Sequence, residues 1–245
     1  TTQFIIFYSN HSNKGDTYIM KAMFPRSELK QKVNSHKKTK KKKFSLKRGL
    51  KFLLQGNFVV LLIIFPFFIN KNHWYENSHI AIETFVIGFE LLFILLFLPA
   101  CYHFEPISIN RVIQSITKKR EKKERIGMAV AFIIISLLSL GFLGIDVPFP
   151  STYILLWLTT NMMYAFLAVF WQRLAFLIYY ANVHDKQTSI MDYLRKYAMF
   201  FFISLNHYVQ QIFSKAPFLL NKLFATLFVI FLFWQCIAVI KIFNP

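Results

Sequence analysis

Two acidic residues in an apolar stretch are the first feature of this chain that could do chemistry. Glu83 and Glu90 both lie in residues 80–98, and a spacing of seven places their carboxylates on one side of a helix, about two turns apart. A carboxylate at membrane depth is costly and often functional. The pair could relay protons or cations, or offset the charge of a basic residue on another helix. A purely structural Glu90, bonded to a neighbouring helix, is the third interpretation.

Arg173 and His207 are the other polar side chains in apolar surroundings that could take part in chemistry. Arg173 could neutralise Glu90 or serve a transport step, but it follows Trp171 near the end of its stretch. An arginine there reaches the lipid headgroups, and a tryptophan belongs to the interfacial aromatic belt. His207, close to Ser204 and to amides, is typical of a hydrogen-bonded structural residue.

The known sequence signatures of catalysis and phosphate binding are missing. The chain has no glycine-rich phosphate loop, no Ser-His-Asp order and no Cys-x-x-Cys pair. Cys101 and Cys236 both lie in or beside apolar stretches, where cysteine behaves as a small core residue. We therefore expect no enzymatic activity, no catalytic residue, no metal site and no cofactor.

Apolar stretches after residue 51 must position these side chains. Five are strongly apolar, residues 58–69, 80–98, 127–145, 153–170 and 223–240, and residues 197–213 form a weaker one. Hydrophobic residues make up 56% of the chain and 30 residues are Phe, so a bilayer is the solvent that suits most of this surface. The predicted fold is all-α, a polytopic transmembrane helix bundle with five or six spans. Residues 1–51 form a basic N-terminal arm ending in an interfacial amphipathic helix, and residues 52–245 form the transmembrane domain.

The weaker stretch decides between five and six spans. Its first half is apolar, but Asn206, His207, Gln210 and Gln211 follow within six residues. Such a helix either packs inside a bundle or lies at the membrane interface. The low hydrophobicity and the position of the lysines favour five spans and an interfacial helix.

Helix ends and packing seams can also be predicted. Pro99 is expected to end the second span, and residues 44–55 are expected to lie at headgroup level because their leucines share one helical face. Small residues on the third stretch, Ser136, Ser139, Gly141 and Gly144, predict close helix contact. A stripe on the fourth, Trp157, Asn161, Ala165, Ala168 and Gln172, predicts a packing seam with hydrogen bonding.

The formal net charge of +18 is concentrated in residues 30–51 and 111–125, beside membrane segments. Lysines and arginines in such places orient helices and attract anionic, cardiolipin-like lipid, and no aromatic residues interleave the lysine run as RNA reading would require. The predicted lipid contacts are Lys40, Lys41, Lys42, Lys43, Lys47, Arg48, Lys51, Lys118, Lys119 and Arg120. The loops at 70–79 and 146–152 contain one lysine, Lys71, and no arginine. The basic segments are therefore expected on the other side of the membrane, which faces the matrix or the cytoplasm.

Two functions follow from this pattern. The first is a non-catalytic integral membrane subunit of a larger complex, with other subunits and lipids as partners and no nucleic acid. The bias toward Phe, Ile and Lys suggests an accessory subunit of a respiratory or ATP-synthase assembly in the mitochondrial inner membrane, with the bacterial inner membrane as the alternative. The second is a small ion or proton transporter or channel that uses Glu83 and Glu90.

Overall fold

The computed structural model describes residues 44–103, 120–183, 187–214 and 217–244, which form helices and no strand. The helices are α1 (Leu46–Ile69), α2 (Ser78–His103), α3 (Lys122–Leu140), α4 (Thr152–Val183), α5 (Ile190–Phe213) and α6 (Phe218–Phe243), with short 3₁₀ turns at Lys71–His73 and Gly141–Ile145. The chain from Phe44 onward is one compact unit. The arm to residue 43 lies outside the described residues, so the division at residue 51 stays a prediction.

Helices α1, α2, α3, α4 and α6 are long and apolar enough to cross a membrane. Each candidate span covers at least 24 residues, which at about 1.5 Å per residue is roughly 36 Å, more than the hydrocarbon thickness of about 30 Å. Their outward faces expose leucine, isoleucine and phenylalanine, as lipid contact requires. The predicted all-α transmembrane bundle is confirmed.

Hydrogen bonds join three chain segments at one end of the bundle, which we call the far end. The side-chain nitrogen of Asn70, just after α1, donates to the carbonyl of Pro148 (3.0 Å) and to the hydroxyl of Ser151 (2.8 Å), just before α4. The backbone N–H of Tyr75 donates to the carbonyl of Ile242 at the end of α6. The end of α1, the start of α4 and the end of α6 therefore lie together.

Replacing Asn70 by alanine is expected to lower the free energy of unfolding by about 1 kcal/mol, because the buried hydroxyl of Ser151 and the half-buried carbonyl of Pro148 lose a donor. Thermal unfolding in detergent measures the change. Asn57→Ala is the matched control, because among the residues that the structure describes the Asn57 side chain bonds to the carbonyl of Leu53 in its own helix and to no other segment. Equal losses from the two variants would contradict a role in joining the loops.

The opposite, near end holds the starts of α1, α3 and α6. The backbone N–H of Ser45, before α1, donates to the carbonyl of Cys101 near the end of α2. The ammonium of Lys123 at the start of α3 donates to the carbonyl of Thr188 (3.1 Å), just before α5. Helix α6 ends at the far end, and since it crosses the bundle it must begin at the near end.

Helix α5 does not reach the far end. It begins beside α3 at the near end, and only residues 214–217 separate its last residue from the start of α6. Phe213 packs on Phe224 and Phe228, with ring centroids 5.5 and 6.1 Å apart. Both ends of α5 thus lie in the near half of the bundle, which agrees with five spans and a sixth helix that does not cross.

Two expectations about helix limits differ from the structure. The prediction that Pro99 ends the second span is wrong, because α2 continues through Pro99 to His103. Proline removes only one backbone donor, and packed membrane helices tolerate that loss. Residues 46–55 are the first part of the continuous helix α1 rather than a separate element, and Gly49 and Phe52 are buried there against α2.

The expected small-residue contacts of α3 are only partly present. Ser139 is fully buried, and the hydroxyls of Ser136 and Tyr153 are 2.6 Å apart. The expectation for Gly141 and Gly144 is wrong, because a side chain added at either would meet open space. These glycines lie in the 3₁₀ turn at the far end, beyond the helix contact.

Candidate functional site

Helix α4 bends at Trp171, which has helix-breaking dihedrals of φ −125° and ψ 58°. The part before the bend, residues 152–170, measures about 28 Å at the usual helical rise and nearly crosses the membrane. The part after it, residues 172–183, packs Phe176 and Tyr179 against α5 through His207. The fourth helix is therefore longer than one crossing and turns at the near end. We call this bend and the residues packed around it the elbow.

A lysine from α6 binds the backbone of the elbow. The ammonium of Lys222 donates to the carbonyl of Val169, two residues before Trp171. A helix that bends so strongly leaves carbonyls without helical partners, and a cation there also interacts favourably with the helix dipole. Lys222 therefore caps the first part of α4.

Three amide side chains connect α4, α5 and α6 beside this lysine. Gln172 and Asn221 exchange two hydrogen bonds, with Nε2 of Gln172 to Oδ1 of Asn221 at 3.2 Å and Nδ2 of Asn221 to Oε1 of Gln172 at 2.7 Å. Nε2 of Gln172 also donates to Oε1 of Gln210 in α5, again at 3.2 Å. Gln210 and Asn221 are buried, so these bonds lie in a dry environment.

A further amide on α4, closer to the far end than Gln172, binds α5. Asn161 in α4 is fully buried, and its Oδ1 accepts the backbone N–H of Asn206 at 3.0 Å. Its Nδ2 donates to the carbonyl of Trp157. Ala165 and Ala168 on the same side are also buried, so the predicted polar and small-residue seam of α4 is confirmed.

The side chains at the elbow are suited to holding helices together. Amides do not titrate near neutral pH, so they hold positions through hydrogen bonds rather than accept substrate protons. Among the residues that the structure describes, no group of three or more His, Cys, Asp or Glu could hold a metal. The expectations of no catalytic residue and no cofactor stay predictions.

The two acidic candidates lie apart from the elbow on the outer surface of α2. Glu90 is the thirteenth of the 25 residues of the candidate span Ser78–Tyr102, which is its centre. It is half-buried, and Glu83 is exposed. Within the described parts of the chain neither carboxylate makes a hydrogen bond or ion pair, so Glu90 does not neutralise Arg173.

The other two candidates have different surroundings. Arg173 is exposed at the elbow beside Trp171, which is 62% exposed, an arrangement suited to the predicted contact with headgroups. His207 stacks on the ring of Tyr179 with centroids 3.9 Å apart and meets the edge of the Phe176 ring at 5.4 Å. These contacts give His207 a packing role between α5 and the second part of α4.

The described lipid candidates all lie at the near end. Lys47 and Lys51 are exposed on the first turns of α1, and Arg48 donates to the carbonyl of Tyr102 at the end of α2. Arg120 lies 3.0 Å from the sulfur of Met128. The remaining predicted contacts, Lys40, Lys41, Lys42, Lys43, Lys118 and Lys119, lie outside the described residues.

Charged groups also fix the start of α5, which lies outside the spans. The side chains of Ser189 and Asp192 form a capping box, and the backbone N–H groups of Ser189 and Thr188 hold the pKa of Asp192 well below its usual range. Tyr197 donates to Glu124 of α3 at 2.6 Å. Burial, and then this bond, raise the pKa of Tyr197 to about 12, so it stays a neutral donor.

The sequence reasoning missed Lys222 and Asn221 as members of a site. Lys222 is one of the lysines whose position favoured five spans, and no local pattern marks it as a partner of Val169. Comparisons of the chain with protein-family models, with curated proteins and with solved structures find no match. The fold and the contacts define an all-α, multi-pass membrane protein.

Proposed function

We propose that this protein is a non-catalytic integral subunit of a larger membrane protein complex. The observation that carries the proposal is Glu90, a half-buried carboxylate at the centre of the α2 span without a partner in the described chain. A carboxylate at that depth must be neutralised or paired, since leaving it charged among lipid tails costs several kcal/mol. A basic or hydrogen-bonding residue of a neighbouring subunit supplies the partner that the described part of this chain does not provide.

The elbow supports the same proposal from the inside of the bundle. Its amides and Lys222 are engaged with backbone and with one another, which fixes the arrangement of α4, α5 and α6. A bundle held in this way can present a fixed outer surface to other subunits. We place it as an accessory subunit of a respiratory or ATP-synthase assembly in the mitochondrial inner membrane, with anionic lipid at the basic near end. The bacterial inner membrane is the alternative location.

The alternative function is a small ion or proton transporter that uses Glu83 and Glu90. Glu90 favours it in one respect, because an acid at the centre of a span can exchange a proton with a bound ion or water. A transporter also needs a series of polar groups that carries the proton or ion onward from Glu90. The described residues do not supply such a series, because the groups around the elbow are amides on other helices.

Substitution of Glu90 separates the two functions. Glu90→Gln is expected to leave assembly intact, because glutamine keeps the shape and the hydrogen bonding of the side chain. Glu90→Leu is expected to release the co-purifying subunits, because the partner group is then left unpaired. Gentle solubilisation followed by native mass measurement detects the loss.

Glu83→Leu is the matched control, because Glu83 is exposed near the start of α2, where a carboxylate can reach headgroups. It is expected to assemble normally. A lone monomer for the unsubstituted protein would count against the subunit function. Normal assembly of Glu90→Gln with loss of a measured ion or proton flux would establish the transporter instead.

A further inference from the structure

A narrow void lies on the inner side of the elbow, between the two parts of α4 and α5. Its lining includes Tyr164 before the bend, Ala175 and Phe176 after it, and Ile203, Asn206 and Gln210 of α5. The bend creates this space, because residues on either side of Trp171 come to face the same turns of α5. We call it the elbow void.

In this lining, the hydroxyl of Tyr164, Oδ1 of Asn206 and Nε2 of Gln210 have no hydrogen-bond partner within the described residues. Asn206 and Gln210 are each only 1% exposed, so neither can be solvated from the bundle surface. Native proteins rarely leave such groups unpaired, and an unpaired group that is this buried signals a missing partner.

The three atoms differ in what they need. Oδ1 of Asn206 accepts a hydrogen bond, Nε2 of Gln210 donates one, and the hydroxyl of Tyr164 can do either. A charged ligand would satisfy only part of this set. Water donates two bonds and accepts two, and buried waters commonly make about three bonds to otherwise unpaired groups.

We propose that the elbow void binds a water molecule that bridges Tyr164, Asn206 and Gln210. The void does not admit a water-sized sphere with its side chains as they stand, so binding includes a small outward shift of the Tyr164 ring. No hydrogen bond within the described residues holds the Tyr164 hydroxyl against that shift.

The substitution Tyr164→Phe tests the bound water because it removes only the hydroxyl. In a hydrated void the water loses one of its partners, and the unfolding temperature is expected to fall by about 2–4 °C, as a loss of about 1 kcal/mol gives for a chain of this size. In a dry void the substitution removes an unpaired buried hydroxyl, and the unfolding temperature stays the same or rises. The second result would overturn the proposal.

Hydroxyl-radical labelling by X-ray radiolysis of the whole protein in detergent gives an independent readout, because radicals formed from a bound water react with the side chains beside it. Tyr164 is expected to be labelled several-fold faster than Tyr208, which is also half-buried but stacks on Phe52. Equal labelling of the two tyrosines would refute the bound water even if Tyr164→Phe were destabilising, because that loss would then come from packing.

Discussion

Replacement of Gly127 by alanine is expected to lower the free energy of unfolding by about 1–3 kcal/mol, the usual cost of adding atoms to a filled contact. A Cβ at this position would lie 2.6 Å from Cβ of Tyr193 and 2.9 Å from the carbonyl oxygen of Ile190. These are atoms of the α5 backbone or next to it, so no side-chain rotation relieves the overlap. The two helices must separate at the near end.

Gly141→Ala is the matched control, because a Cβ there has no neighbour within 4 Å. It is expected to leave stability unchanged or to raise it by up to about 1 kcal/mol, since alanine restricts the unfolded chain more than glycine does. Thermal unfolding of both variants in the same detergent gives the comparison. A Gly127→Ala variant as stable as Gly141→Ala would show that α3 and α5 are not in close contact.

The separation of α3 from α5 should also weaken the bonds around it. Tyr197 donates to Glu124, and Lys123 donates to the carbonyl of Thr188, on the same face. Hydrogen exchange at the start of α5 is therefore expected to increase in Gly127→Ala and to stay unchanged in Gly141→Ala. An increase confined to the far end would contradict this geometry.

Gly127 also illustrates what could be predicted from the sequence. The spans could be located because the bilayer requires a minimum length of apolar residues, and such a stretch is visible in the local composition. The sequence does not indicate which of the small residues contacts another helix. Gly141 and Gly144 have the same side chain as Gly127, yet only Gly127 lies where another helix crosses.

The weaker stretch shows a second limit. Its composition permits both a span and an interfacial helix, and the deciding evidence is connectivity: Lys123 fixes its start to the near end, and the far-end bond from Tyr75 to Ile242 fixes the direction of α6. Neither contact has a local signature. The elbow is similar, because Gln172 and Asn221 are 49 residues apart and only the stripe on α4 indicated that a polar seam existed.

The amide pair at the elbow should give the other large effect. Gln172→Leu and Asn221→Leu are each expected to lower the free energy of unfolding by about 1–3 kcal/mol, because each leaves the opposite amide buried without its reciprocal bonds. The two single variants also differ in a useful way. Gln172→Leu removes the bond to Gln210 as well, so it should be the more damaging of the two.

The double variant Gln172→Leu, Asn221→Leu tests whether the two amides act as a pair. It removes both unpaired groups together, so its loss is expected to be smaller than the sum of the single losses by about 0.6–1.7 kcal/mol, the coupling measured between polar groups in membrane helices. Thr160→Val paired with Asn221→Leu is the control cycle, because the bonds of Thr160 within the described residues go to carbonyls of its own helix, Leu156 and Trp157. Additive losses in the Gln172 cycle would mean that Gln172 and Asn221 do not meet and that α6 is attached to the elbow through Lys222. In that case Lys222→Met, which leaves the Val169 carbonyl without its donor, would be the variant that straightens α4 or detaches α6.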